Sequence, residues 1–157
     1  MDHYRRLVEV NRRLFRQQPT HVPTQMELVA TLHQLGHFEL SAGDRTAALE
    51  LFEEASPLAV DIMKTKPVAP QWQRHQVELA VHLGTLHFEA QRWNQAQDYF
   101  EQAWEGQQQY ATIANSTPQD RGIFRMMLQS LIEIADRFEQ KEKAERLRQV
   151  LQSFDSN

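Results

Sequence analysis

No cysteine occurs anywhere in the 157 residues. That excludes disulfides, thiolate metal ligands and a cysteine nucleophile, and it fits a reducing, cytoplasmic compartment. Glycine is scarce too: the five present are scattered, so no phosphate-cradling loop can be assembled from them. No serine stands in a Gly-x-Ser-x-Gly setting. No apolar run approaches the roughly 20 residues that a bilayer-spanning helix needs, so no transmembrane segment is expected. The opening stretch, MDHYRRLVEVNRRLF, lacks the uninterrupted apolar core and small-residue cleavage site of a signal peptide. A strong excess of one charge is missing as well. The formal charge is −4, unevenly spread: five Arg against Asp2 and Glu9 make residues 1–18 net positive, and the rest is mildly acidic. A body of that sign does not suit a nucleic-acid binder.

What is abundant is Ala, Leu, Glu, Gln and Arg, a composition that favours helices. The stretch LGHFELSAGDRTAALELFEEA, residues 35–55, has a counterpart in LGTLHFEAQRWNQAQDYFEQA, residues 83–103. A shift of 48 brings Leu35-Gly36 onto Leu83-Gly84, Phe52 onto Phe100 and Ala55 onto Ala103. It also brings Ala48 onto Ala96 and Ala144, and Leu35 onto Leu83 and Leu131. A third copy is degraded, with Ile132 at the Gly position and Arg148 at the Phe position. Running backwards, Tyr4, Leu7 and Leu14 fall on Phe52, Ala55 and Ile62.

Each copy reads as two helices. Ala48, Leu51, Phe52, Ala55, Ala59, Ile62 and Met63 recur at three- and four-residue steps along one helical face. Gly43-Asp44 combines a helix-ending Gly with a capping Asp, and Thr117-Pro118 is a second start signal. The pattern predicts seven helices, over 2–18, 22–42, 44–66, 70–90, 93–115, 118–139 and 141–154. One domain over 1–157 is expected: a leading or capping helix (1–18), repeat 1 (22–66), repeat 2 (70–115), and a degenerate repeat 3 with the C-terminal cap (118–154).

This pattern resembles the tetratricopeptide repeat family: Leu-Gly in a first helix, a Gly-Asp or Arg-Trp turn, then Ala, Phe and Ala on a second helix. Residues 32–58 and 80–106 carry it well, and 128–154 weakly. The family's period is about 34 residues, so the extra length here, about four helical turns, marks a long-helix variant whose stop falls at Pro67. The resemblance implies an all-α, right-handed superhelical solenoid of antiparallel helix pairs. It also implies that Gly36 and Gly84 allow close helix approach, that Phe52 and Phe100 fill the space between repeats, and that Trp104 packs onto the next repeat.

It further implies a protein-interaction scaffold, whose first helices line a concave groove. The groove positions are Ala30, His33, His37, Leu40 and Ser41 in the first copy, and Glu78, Val81, Thr85, Phe88 and Glu89 in the second. In the third they are Met126, Gln129, Glu133, Asp136 and Arg137. Four carboxylates facing one Arg, with Leu40, Phe88 and Met126 as apolar contacts, predict a partner peptide or helix that is neutral to basic with apolar anchors. The alternatives are an oligomerisation module, in which copies meet through the N-terminal helix, and a sensor or regulatory arm of a larger multidomain protein.

No enzyme, cofactor or metal site is expected. His33 and His37 lie four apart on one helix, a spacing that can serve a metal. Cys is absent, however, no Glu stands between the two, and no third ligand is evident. His82 and His87 are five apart and splay away from each other. Glu53-Glu54 reads as solvated charge. On the N-terminal helix Tyr4, Leu7, Val8, Val10, Leu14 and Phe15 form an apolar side and Arg5, Arg6, Arg12, Arg13 and Arg16 a basic one. The apolar side is expected to dock on the repeats.

Overall fold

The computed structural model describes residues 2–65, 70–111 and 118–155. These residues form seven α-helices and no strand: α1 (Asp2–Gln17), α2 (Val22–Ser41), α3 (Arg45–Thr65), α4 (Pro70–Glu89), α5 (Trp93–Ala111), α6 (Pro118–Arg137) and α7 (Lys141–Asp155). The limits follow the expected ones closely. The expected end of the fifth helix at 112–115, Thr117 and Pro67 lie outside the described residues.

The turns inside the three pairs share one backbone solution. Gly43, Gln91 and Glu139, spaced 48 apart in the sequence, all adopt positive φ, at 86°, 58° and 56°. After each, an N–H reaches back five residues: Asp44 N donates to Glu39 O at 2.9 Å, Arg92 N to His87 O at 2.8 Å, and Gln140 N to Ala135 O at 2.8 Å. This satisfies carbonyls that a helix end leaves without partners. Asp44 then caps α3, its Oδ1 accepting the Ala47 N–H at 3.0 Å. Pro57 lies inside α3 but is exposed, so the hydrogen bond it forgoes faces water.

Within the pairs, Gly36 sits against Phe52 so closely that a Cβ would lie 2.4 Å from its ring, and Gly84 sits against Phe100 with a corresponding 2.6 Å. Both Phe rings are fully buried, as are Ala48, Ala55, Ala96, Ala103 and Ala144. The columns that repeat in sequence are therefore the columns that touch. Trp104 stacks on Phe124 of α6, 4.8 Å between centroids, as expected of a contact to the next pair.

Each helix packs on its neighbours in the chain, and α4 also meets α6. Among the described residues two apolar cores result. One gathers Val8, Leu28, Leu32, Phe52, Ile62, Leu79 and Leu83; the other gathers Val81, Phe100, Met127, Leu128, Leu131 and Ile134. Helix α4 contributes to both, so neither core closes without it. Among the described residues no helix is long and apolar enough to cross a membrane.

Helix α1 docks on α2, though along a different stripe from the expected one. Tyr4, Val8, Asn11 and Phe15 face the body, with Tyr4 4.9 Å from the Phe38 ring. Asn11 is buried because its Nδ2 finds acceptors in Thr31 Oγ1 at 3.2 Å and Glu27 O at 3.4 Å. Val10 and Leu14, 50% and 47% exposed, belong to neither the buried stripe nor the packed set. Leu14 thus departs from Ile62, its aligned counterpart, which is buried in the first core. Two of the five Arg are held by the body's own acids: Arg5 by the buried Glu39 at 2.8 Å and Arg12 by Glu54 at 2.5 Å.

Candidate functional site

Reading the expected groove positions in columns 48 apart separates them by exposure. Ser41, Glu89 and Arg137 are all exposed. In the column His37, Thr85 and Glu133, the first two are half-buried and the third is exposed; Leu40, Phe88 and Asp136 behave alike. Ala30, Glu78 and Met126 are half-buried. His33 and Val81 are buried and do not offer a surface, in contrast to the expectation; Gln129, in their column on α6, is exposed. The reason is lateral packing of successive first helices. Val81 belongs to the core shared with α6, and Thr85 lies 4.0 Å from Met126 Sδ.

Several of these side chains already have partners within the chain. Glu89 pairs with Arg45 at 2.8 Å, Asp136 with Arg148 at 2.6 Å, and Glu78 with Arg74 at 3.0 Å. Arg137 lies over the Trp93 ring, 4.1 Å from its centroid, and Phe88 packs edge-on against the same ring at 5.1 Å. The Arg45–Glu89 pair also borders a cleft of about 250 Å³, lined with Thr46, Leu49, Leu86 and Arg92. Glu54 pairs with Arg12, while the exposed Glu53 comes within 3.5 Å of His87 Nε2.

A cluster of four imidazoles between α2 and α4 was only half visible in the sequence. His33 and His37 of α2 meet His82 and His75 of α4. Ring centroids are 4.6 Å apart for His33–His37, 4.5 Å for His37–His82, 5.8 Å for His33–His82 and 5.4 Å for His33–His75. Phe52 forms an apolar wall, stacked on His82 at 5.2 Å with ring planes 13° apart. One donor nitrogen from each of His33, His37 and His82 lies within 4.8 Å of the other two, and His33, His75 and Glu78 form a second such set. His33 Nε2 and His75 Nδ1 are buried without a hydrogen-bond partner.

Burial disfavours the charged imidazolium here, and neighbouring imidazoles add to the effect. Burial is the larger cause in holding His33 down to about 3, with His37, His82 and His75 adding to it. Burial again, then His37, holds His82 down to about 4. At neutral pH both are neutral, with a ring nitrogen lone pair free of a proton. His87 is a separate case: fully buried, stacked on Tyr99 at 5.3 Å, and shifted down by burial and then Arg92, against the opposing pull of Glu53.

Sequence reasoning paired His82 with His87, inside one helix. The signal it passed over was the seven-residue spacing of His75 and His82, two turns on one face of α4, alongside the four-residue spacing on α2.

No protein-family model matches the chain, and no curated protein matches it in sequence. Among solved structures it is similar to the crystal structure of BtubC (BKLC) from P. vanneervenii, with a TM-score of 0.55 and 19% identity over 98% of this chain and 54% of that one. This chain thus spans about half the length of that protein. At this identity the likeness is one of helical fold.

Proposed function

We propose that the chain is a tetratricopeptide-like solenoid that works as a protein-interaction scaffold in the cytoplasm, capturing a peptide or helix of a partner along its first helices α2, α4 and α6. The observation that supports the reading is the split between repeated and variable columns. Positions that repeat, such as Ala48, Ala96 and Ala144, are fully buried. Among the positions that change between copies, the column Ser41, Glu89 and Arg137 is exposed throughout. A scaffold needs that division, with constant packing underneath and individual chemistry on the surface.

The partner segment is neutral to basic, with apolar anchors. Exposed ion pairs such as Arg45–Glu89 contribute only about 0–1 kcal/mol, so a cationic side chain of the partner can take the place of Arg45 or Arg148 at little cost. Selection from a displayed random-peptide library on the immobilised chain tests this. Enriched peptides should carry Lys or Arg beside large apolar residues, and should be lost with Glu133→Lys and Gln129→Ala. Failure to enrich any peptide, or binding indifferent to both substitutions, rejects the groove. A second reading, self-association through α1, is favoured by the exposed Val10 and Leu14; sedimentation that stays monomeric at high concentration rejects it.

A further inference from the structure

The imidazole cluster is not needed by the scaffold reading, and its chemistry is unlike that of the rest of the core. A buried imidazole normally spends its ring nitrogens on hydrogen bonds, yet His33, only 5% exposed, holds Nε2 with no partner. One of its ring nitrogens lies within 4.8 Å of nitrogens from two other histidines. His37 stands one turn along α2, and His82 comes from α4, 49 residues after His33.

Three imidazole nitrogens within 4.8 Å of each other are close to a metal-binding arrangement. Bonds of about 2.0–2.1 Å in tetrahedral geometry place ligand nitrogens about 3.3 Å apart. From separations of at most 4.8 Å, rotation of half-buried His37 and His82 about their side-chain bonds would have to close each distance by no more than about 1.5 Å to reach that spacing. The second set, His33 with His75 and Glu78, is less suited, because the Glu78 carboxylate already accepts from Arg74 Nε at 3.0 Å. Phe52 closes the apolar side of the cluster, the kind of surround that limits solvent at a metal centre.

We propose that His33, His37 and His82 bind one divalent transition-metal ion of the zinc class between α2 and α4. Three nitrogen donors suit zinc, cobalt, nickel or copper and not calcium or magnesium, which take oxygen ligands. Three protein ligands leave one tetrahedral position for water or an incoming donor. Since His37 and His82 are only half-buried, ion and fourth ligand enter from solvent. The ion joins the first helices of two successive pairs. The site does not depend on the groove reading.

The test uses the full chain, without an affinity tag, freed of metal by chelation and titrated with Zn²⁺ by calorimetry and with Co²⁺ by visible absorption. One ion should bind per chain with a dissociation constant below about 100 µM, the thermal midpoint should rise, and Co²⁺ should give the intense bands of a low-coordinate nitrogen site. His37→Ala and His82→Ala should each weaken binding at least about tenfold, whereas Glu78→Gln, His3→Ala and His21→Ala should not. Circular dichroism confirms that the variants fold. If either histidine variant does not fold, the Co²⁺ spectrum of the unaltered chain decides. Absence of saturable binding, a pale water-rich Co²⁺ spectrum, or binding unchanged in both folded histidine variants overturns the site. Dependence on Glu78 in place of His82 overturns the ligand set.

Discussion

The seam between α2 and α4 and the seam between α4 and α6 occupy equivalent places in successive repeats, yet they are built from different materials. In the first, His33 and His37 meet His75 and His82 directly, beside the Phe52 ring. In the second, the corresponding Val81 and Thr85 meet the α6 side through the apolar core and Met126. Beneath both, the Gly–Phe contact is the same, Gly36 on Phe52 and Gly84 on Phe100. The repeat therefore fixes how two helices of a pair touch and leaves open what lies between pairs. The contacts to the preceding helix differ in the same way: Arg5 on α1 faces the buried carboxylate of Glu39, whereas 48 residues later Glu53 on α3 carries the carboxylate and faces the buried imidazole of His87.

The largest effect should come from the shared element. Phe100→Ala removes a fully buried ring from an apolar setting and should cost about 3–5 kcal/mol in urea denaturation. Phe52→Ala leaves a cavity lined partly by imidazoles, which water can enter, and should cost less than Phe100→Ala. Equal losses would show that the two seams are energetically alike, and a loss below about 1 kcal/mol for Phe100 would break the proposed register.

Acid should separate the seams next. In metal-free protein, His33 is held down to about 3 and His82 to about 4, below the ordinary imidazole value of 6.5. The unfolded chain therefore takes up these protons first as pH falls. Stability is fully present above about pH 6.5, drops as pH falls below it, and keeps dropping until the folded-state values are reached. The slope approaches about 1.4 kcal/mol per pH unit for a single buried imidazole. Thermal or urea melts between pH 7 and 5 should show the drop, and His33→Gln should flatten it. An unchanged slope in that variant would assign the loss elsewhere, to His82 first and then to His87, whose own downward shift has the same sign.

The smallest effect lies in the turns. Gly43→Ala should destabilise by about 1 kcal/mol, and Gln91→Gly or Glu139→Gly should stabilise by about 0.5–1 kcal/mol, because only the first turn has the residue its positive φ prefers. Differential scanning calorimetry on the three variants checks the signs. A gain at Gly43→Ala would mean that its φ relaxes on substitution.

The helix limits, the Gly36–Phe52 and Gly84–Phe100 contacts and the Trp104 stack were legible in the sequence because each recurs or sits at a fixed step from something that recurs. The third turn was legible only through its position, since Glu139 keeps the left-handed backbone after the Gly of the first copy is gone. The imidazole cluster was half hidden for the opposite reason. His75 and His82 fall 48 residues after Glu27 and Gln34, so the repeat gives no cue that they face His33 and His37. Asn11 and Leu14 misled the helical wheel because a wheel counts apolar residues without knowing that Thr31 and the Glu27 carbonyl await an amide.

The chain-order packing of the helices has a kinetic side. Contacts made chiefly between neighbours in sequence need little loop closure, so the search for them is short and folding is fast for a chain of this length. It also lets assembly proceed in the direction of synthesis: α1 can dock on α2 while the rest is still being made. Helix α4, which lends side chains to both cores, is then the element whose arrival lets the first core close and begins the second.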